Sequence, residues 1–489
     1  MDKDTGFLDV KRRTADKLPV DKRLADYREV YLELAEDELR AQASRCMECG
    51  VPFCHAFGCP LGNAIPEWNE LVYRGRWREA ADLLHATNNF PEITGRVCPA
   101  LCEAACVLSL GDEAVTVRQD ELAIVERAFK EGWIEPEPPL AETGWRVAVI
   151  GSGPAGMAAA QQLRRAGHEV TLFEQADRPG GILRYGIPDF KLEKWVLERR
   201  FEQLESEGVE LEVGVEAGRD VSARYLRQRF DAVCLAIGSA RPRELAVSGS
   251  ELKGIHQAMD FLIQQNRRVA GLPIIGEEIS AQGKRVVIIG GGDTGSDCLG
   301  TALRQGASSV VQLEILPQPP AGQNPATPWP QYPNISRTST SHEEGGERRW
   351  SVCTKKFSGR KGQLTGLAGV EVEWGKAADG RPTMTEVAGS QFKLKADLAL
   401  LAMGFVGVEP GGLLEGLGVE CDARGSVKVD ADHRTGVEGV FAAGDATTGP
   451  WLVVHAIAAG RRMARAVDLE LMGETRLPAP PAASPKDKG

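Results

Sequence analysis

Missing from this chain is any apolar run of membrane-spanning length, and its opening, MDKDTGFLDVKRRTADK, has neither the apolar stretch nor the small-residue cleavage site of a secretory leader. Both absences point to a cytoplasmic protein without a membrane partner. Positive charge is in short supply as well: 58 Lys and Arg face 69 Asp and Glu, a formal net charge of −11. Nucleic acids and anionic membranes are gripped by clustered basic surface, so neither is expected as a general partner. Only one CxxC pair occurs, at Cys46 and Cys49, whereas a zinc ribbon ordinarily uses two.

What is present begins with length. At 489 residues the chain exceeds one compact core and should divide into two to four domains. Its 55 glycines are above the usual share, as tight turns and loops that approach phosphate require. Cysteine is distributed unevenly: Cys46, Cys49, Cys54, Cys59, Cys98, Cys102 and Cys106 crowd together, and only four of the 11 lie beyond them. In a reducing compartment such crowding indicates metal before disulfides. Cys234, Cys298, Cys353 and Cys421 are isolated and read as small buried apolar side chains.

Residues 1 to about 140 read as a small helical domain. A helical pattern in RLADYREVYLELAEDELRAQASR leads into the first cysteine, Trp68, Leu71, Val72, Trp77, Ala80, Ala81 and Leu84 recur at amphipathic spacing, and Glu121 to Phe129 gives another helix. The linker WIEPEPPLAETG follows. Then WRVAVIGSGPAGMAAAQQLRRAGHEVTLFE spells strand, glycine turn, helix and strand, and KRVVIIGGGDTGSDCLGTALRQGASSVVQLEI repeats it. Residues 317–350, rich in Pro, Ser, Thr and Gly, are expected to form an irregular loop over the second unit. A last helix should begin near Val453, and the Pro-rich tail at 476–489 is expected to be disordered.

In the first unit, Gly151, Gly153 and Gly156 make GxGxxG between strand and helix, with Pro154 and Ala155 inside it. The first glycine permits the tight turn, the second lets backbone approach a diphosphate at a helix N-terminus, and the third allows helix and strand to touch. Glu174 ends the next strand, where a carboxylate can accept ribose hydroxyls. FAD is assigned here because a second, distant motif accompanies it: GVFAAGDATTGPWLVVHAIAAGR puts Gly444 and Asp445 after a short strand and before the helix at Val453. That carboxylate suits the flavin's ribityl hydroxyls, and the helix dipole suits the negative charge of the reduced ring. Gly181, in RPGGILRYGIPDF, and Gly238 complete the candidate FAD set. No CxxC or Cx4C pair follows this fingerprint, so a dithiol-reductase mechanism is disfavoured.

The second fingerprint, Gly290, Gly292 and Gly295 with Asp293 and Thr294, is the candidate site for NADH or NADPH. Its following strand ends in Glu314, and no arginine stands there to meet a 2′-phosphate. A carboxylate repels that phosphate and accepts a 2′-hydroxyl, which favours NADH. Arg337, Arg348 or Arg349 could reverse this by folding back from the insertion. No side chain is singled out as a catalytic acid or base.

The cysteines are spaced CxxCx4Cx4C, and from Cys98 to Cys106 three residues separate each neighbour from the next. Seven thiolates are one short of two four-thiolate cages, so either one iron–sulfur cluster takes a non-cysteine ligand or only one cluster forms. His55 sits within the run, more suited to a supporting role than to ligation.

CMECGVPFCHAFGCPLGNAIPEWNELVYRGRWREAADLLHATNNFPEITGRVCPALCEAAC, the first unit, GGGDTGSDC and VFAAGD together resemble the small (beta) subunit of glutamate synthase over about residues 35–470, and also the N-terminal part of dihydropyrimidine dehydrogenase. The resemblance implies that Cys46, Cys49, Cys54 and Cys106 hold one [4Fe-4S] cluster, and that Cys59, Cys98 and Cys102 hold another with Glu121 as fourth ligand. QLEILPQPP resembles the NADH-using versions. The fold class expected is α/β multidomain: a helical bis-[4Fe-4S] domain (1–140), a FAD domain in two parts (146–282 and 404–475), and a Rossmann-like nicotinamide domain (283–403) inserted between them.

The function implied is oxidation of NAD(P)H, with electrons passing from FAD through the clusters to a glutamate synthase large (alpha) subunit that makes two glutamates from glutamine and 2-oxoglutarate. The same architecture serving ferredoxin or a pyrimidine-reducing subunit is one alternative, and a zinc-shaped scaffold is another. Metal analysis separates the last: about eight iron and eight acid-labile sulfide per chain are expected for two clusters, against about one or two zinc ions for a scaffold.

Overall fold

Two short apolar segments, RVAVI and RVVII, are buried on both faces and form the centres of two parallel sheets, as near-continuous β-branched runs do. The computed structural model describes residues 3–377 and 379–481. Its first sheet contains β1 (Arg146–Ile150), β2 (Glu169–Glu174), β3 (Glu210–Val213), β4 (Ala232–Leu235) and β14 (Val440–Ala442) in the order β14-β4-β1-β2-β3. Every neighbour pair is parallel, with Val147 opposite both Val170 and Ala232.

The second sheet is built alike, from β5 (Ile255–Gln257), β6 (Arg285–Ile289), β7 (Ser309–Leu313), β8 (Glu347–Arg349) and β13 (Leu398–Leu401), ordered β5-β13-β6-β7-β8. The chain thus leaves the first sheet after β4, builds the second, and returns with β14. β5 joins this second sheet, and Phe261 and Leu262 of the helix Ala258–Val269 share its core with Val286 and Ile288, so the second unit draws on residues before 283. An antiparallel sheet of β9 (Val352–Arg360), β10 (Gln363–Lys376), β11 (Pro382–Glu386) and β12 (Phe392–Lys395) covers its other face, with Phe357 and Leu367 on Val287 and Ile289.

The N-terminal 130 residues are helical. Ile65–Tyr73, Trp77–Thr87, Pro91–Val97 and Val117–Lys130 enclose Trp68, Leu84, Phe90, Ile93 and Ile124, all fully buried. Of the stretch 23–45, expected to be helical, only Glu36–Ala43 forms a helix, and Arg23 ends the short turn Val20–Arg23 before it. Residues 24–35 are instead a strap whose partners outweigh helix propensity: Val30 is buried, Glu29 pairs with Arg96 at 2.7 Å and accepts the Glu193 amide at 3.0 Å, and Lys17 bridges to Tyr31. One apolar core runs from this domain into the first α/β unit, joining Trp68 and Phe90 to Met157, Leu163 and Ile457. Within that contact the Arg200 guanidinium meets Glu92 twice, at 2.8 and 2.6 Å, with both side chains buried.

The insertion departs from expectation by its reach. It lies against the helix Asp293–Arg304, but it also extends to the cysteine domain, where the Trp329 ring packs tilted against Phe53, centroids 4.7 Å apart, and its Nε1 donates to the Cys106 carbonyl at 3.4 Å. The start of the Pro-rich tail is ordered along the last helix: Arg465 Nη1 donates to the Leu477 carbonyl (2.7 Å) and Arg462 Nη1 to that of Pro481 (3.1 Å), while residues 482–489 lie outside the described residues. Among the described residues, no helix is long and apolar enough to cross a membrane.

The helix Val453–Met472 packs on Pro154–Arg165 where Gly460 faces the Ala155 carbonyl, a gap that a Cβ would overfill. Gly460→Val is therefore expected to lower stability by ~1–3 kcal/mol and to deplete bound flavin, read by thermal unfolding and by flavin absorbance per chain; unchanged values of both would contradict the contact's importance.

Candidate dinucleotide and iron–sulfur sites

Both glycine loops follow the central strand of their sheet, at the point where strand order reverses and a crevice opens. Gly151 (φ +100°) has the Ala236 carbonyl where a Cβ would stand, and Gly156 has the Gly151 carbonyl. Gly153 faces open space on the side where a diphosphate would approach. Glu174 is buried and holds the loop: it accepts the Ser152 amide at 3.1 Å, the Ser152 hydroxyl, and the Ala176 amide at 2.8 Å. Gly181 and Gly444, both at positive φ, come within 3.0 Å of the Gly153 Cα and 2.9 Å of the Ala155 Cβ if given a Cβ, so the chosen FAD residues converge on one loop. Gly238 stands at φ +70° with open space beside it. Burial pushes the Asp445 carboxyl up to about 7, against the pull of the Trp451 amide at 3.3 Å. Val453 begins the last helix beside it.

The second loop repeats the geometry. Gly290 (φ +125°) faces the Ala402 carbonyl, Gly295 faces the Gly290 carbonyl, and Gly292 is open. Glu314 accepts the Gly291 amide at 2.7 Å and the Leu316 amide at 2.8 Å, matching Glu174 position for position. Asp293 and Thr294 start the helix Asp293–Arg304. The insertion locks on by a relay that the sequence did not disclose. Ser296 Oγ lies 2.7 Å from Ser339 Oγ, Ser339 Oγ 2.9 Å from His342 Nδ1, and His342 Nε2 2.7 Å from Gln312 Oε1; the Gln312 amide nitrogen donates to the Gly290 carbonyl at 2.8 Å. The last acceptor fixes the proton on His342 Nε2, and burial drops that imidazole to about 4, so it stays neutral. Of the three arginines, Arg337 and Arg348 line the cleft beside Gly291–Asp293, whereas Arg349 pairs with Glu347 at 2.7 Å and does not.

The cysteines fall into two groups. Cys46, Cys49, Cys54 and Cys106 line one small cavity with Ile65 and Val117, and each of the first three feels the charge of Cys106. Cys59, Cys98 and Cys102 interact instead with one another and with Glu121. Burial pushes the thiols of Cys46, Cys54 and Cys98 up to about 12, and that of Cys59 to about 11, so a bound cation is what would make them thiolates. No three His, Cys, Asp or Glu side chains among the described residues are placed to hold a single metal ion. Glu121 is 6% exposed rather than a surface residue. Asn88 Nδ2 (2.9 Å) and Thr94 Oγ1 (2.7 Å) both donate to its Oε1. His55 is tied by Nδ1 to the Asn63 carbonyl at 2.8 Å. Cys234 and Cys298 are wholly buried, as expected, but Cys353 and Cys421 are only half-buried.

One cleft of about 2220 Å³ lies between the second glycine loop, the surroundings of Cys59 and the start of the last helix. Gly291–Asp293 and Tyr332 face Cys59, Pro60 and Ala100 across it, with Trp451 and Leu452 at the start of the last helix. Lys191, from RYGIPDFKLEK, reaches over to pair with Asp297 on the helix Asp293–Arg304, a bridge the sequence did not signal. Replacing Glu121 by Ala should remove about four of about eight iron atoms per chain and the corresponding electron-paramagnetic signal; a full iron content with an unaltered spectrum would rule out ligation by Glu121.

Comparison with known proteins agrees with this division. Residues 145–460 match the family model "Pyridine nucleotide-disulphide oxidoreductase", and residues 23–133 match "Dihydropyrimidine dehydrogenase domain II, 4Fe-4S cluster". The chain is 56% identical over 487 residues to a protein named glutamate synthase [NADPH] small chain of Mycobacterium tuberculosis, covering 98% of this chain and 99% of that one. It is 43% identical to the Bacillus subtilis protein of that name, at 98% and 100% coverage. A Schizosaccharomyces pombe protein named glutamate synthase [NADH] is 47% identical over 98% of this chain, which spans only 23% of that relative. Among solved structures, FprA of Mycobacterium tuberculosis in complex with NADPH shares the fold, with TM-score 0.52 and 19% identity over 70% of this chain and 88% of that one. The chain belongs to the glutamate synthase small-chain family, oxidoreductases that work with a pyridine nucleotide, FAD and 4Fe-4S chemistry.

Proposed function

We propose that this chain is the electron-input subunit of a glutamate synthase. It takes hydride from NADH or NADPH at the Gly290–Gly295 loop, through FAD at the Gly151–Gly156 loop, and passes electrons singly through two clusters to a larger partner that forms two glutamates from glutamine and 2-oxoglutarate. The observation that carries this reading is the common cleft, which brings the second glycine loop, the start of the last helix and the shell of Cys59 to one space. Bound FAD supplies the conversion between a two-electron donor and one-electron acceptors.

The residues bind and orient. Gly153 and Gly292 leave room for two diphosphates, and Glu174 and Glu314 keep the amides after Gly151 and Gly290 fixed while retaining lone pairs for ribose hydroxyls. Lys191 and Asp297 tie the first unit to the second. Trp329 and Phe53 shield the backbone beside Cys106 from water.

A larger partner is supported by the long fission-yeast relative, in which the matching segment is 23% of one polypeptide. Copurification with a larger chain and glutamine-dependent glutamate formation on mixing are the expected results; NAD(P)H oxidation without any such association or product would reject the assignment. Glu314 favours NADH by repelling a 2′-phosphate. Glu314→Gln should move the ratio of kcat/KM toward NADPH by about tenfold, and equal effects on both donors would remove the specificity role.

A further inference from the structure

Seven arginines are buried among the described residues: Arg23, Arg45, Arg164, Arg184, Arg200, Arg267 and Arg461. Six have a carboxylate within 4.0 Å. Arg461, on the last helix and 4% exposed, has none among the described residues. Its Nη1 donates to Asn89 Oδ1 at 2.6 Å and its Nη2 to the Ala86 carbonyl at 3.1 Å, while Nε meets no acceptor. Burial, with Arg165 nearby, pulls its pKa down to about 10, so it is a cation at neutral pH. A buried charge without a counter-charge is strongly unfavourable, and such groups persist where a charge of opposite sign completes them.

The surroundings say which. Asn89 also donates to Gln161 Oε1 at 2.7 Å, and the adjacent Asn88 donates to Glu121 Oε1 at 2.9 Å. The buried Asn88–Asn89 pair therefore carries Arg461 on one side and the carboxylate of the second cysteine group on the other. We propose that Arg461 is a fixed cation that raises the reduction potential of the cluster held by Cys59, Cys98, Cys102 and Glu121, a role that rests on the electron-input reading. When that cluster takes one electron from reduced FAD, its net charge falls by one; no bond forms or breaks, and the guanidinium favours the more negative state. Arg461 touches none of the reacting groups and acts by its field alone.

Redox titration followed by electron paramagnetic resonance tests this, with iron and FAD counted in every sample. Arg461→Gln keeps donors but loses the charge, and should lower the midpoint of the Glu121-side cluster by at least tenfold in the one-electron equilibrium, about 59 mV. Arg461→Lys should restore it. Gln161→Glu places a carboxylate on the same network and should lower the same midpoint, which decides the matter if Arg461→Gln does not fold. Full iron and FAD with unchanged midpoints in Arg461→Gln or Gln161→Glu would overturn the proposal, as would FAD loss with the midpoint intact. The electron-input reading fails separately, by absence of the iron itself.

Discussion

Gly151 and Gly290 stand at positive φ, each with a neighbouring strand's carbonyl in the place of a side chain, and one carboxylate from the next strand fixes the amide that follows. This contact is small, but the rest is arranged around it. A Cβ at either glycine would push the loop off its sheet, close the space at Gly153 or Gly292, and misdirect the helix whose N-terminus faces that space. The last helix can cross the first fingerprint helix only because Gly460 admits the Ala155 carbonyl, and the start of that helix puts Trp451 and Leu452 in the lining of the cleft.

Around these loops the polypeptide keeps charge in dry surroundings. Glu92 and Arg200 neutralise one another in the contact between the cysteine domain and the first α/β unit. Glu121, with burial pushing it up to about 7, is balanced by two donors on a single oxygen. A medium of low polarity strengthens every electrostatic influence on a group that changes charge by one electron. The same dryness pushes the thiols of Cys98 and Cys102 upward, so binding of a cation there would be coupled to their deprotonation.

Much of this was legible in the sequence. Both glycine loops are set by local spacing, which survives in one dimension; the return of β14 was flagged by the motif GVFAAGD, and the grouping of the seven cysteines with Glu121 was implied by the family resemblance rather than by spacing. The strap at 24–35 was not legible, because its apolar and acidic residues satisfy a helical period while their partners, Arg96 and the Glu193 amide, are distant in sequence. The insertion's reach to Cys106 depended on a single Trp in a Pro-rich run, and such a run has no periodicity to read. β5 escaped notice because three residues carry too little pattern, although pairing with β13 places it in the second sheet.

On the proposed function, electrons leave the flavin for the iron centres within this one chain. Rapid anaerobic mixing with less than one equivalent of NAD(P)H tests it most directly, by following the flavin and iron–sulfur absorbances together. The flavin band is expected to bleach first and then recover as the iron–sulfur absorbance falls. A flavin that stays reduced beside fully oxidised clusters would contradict it.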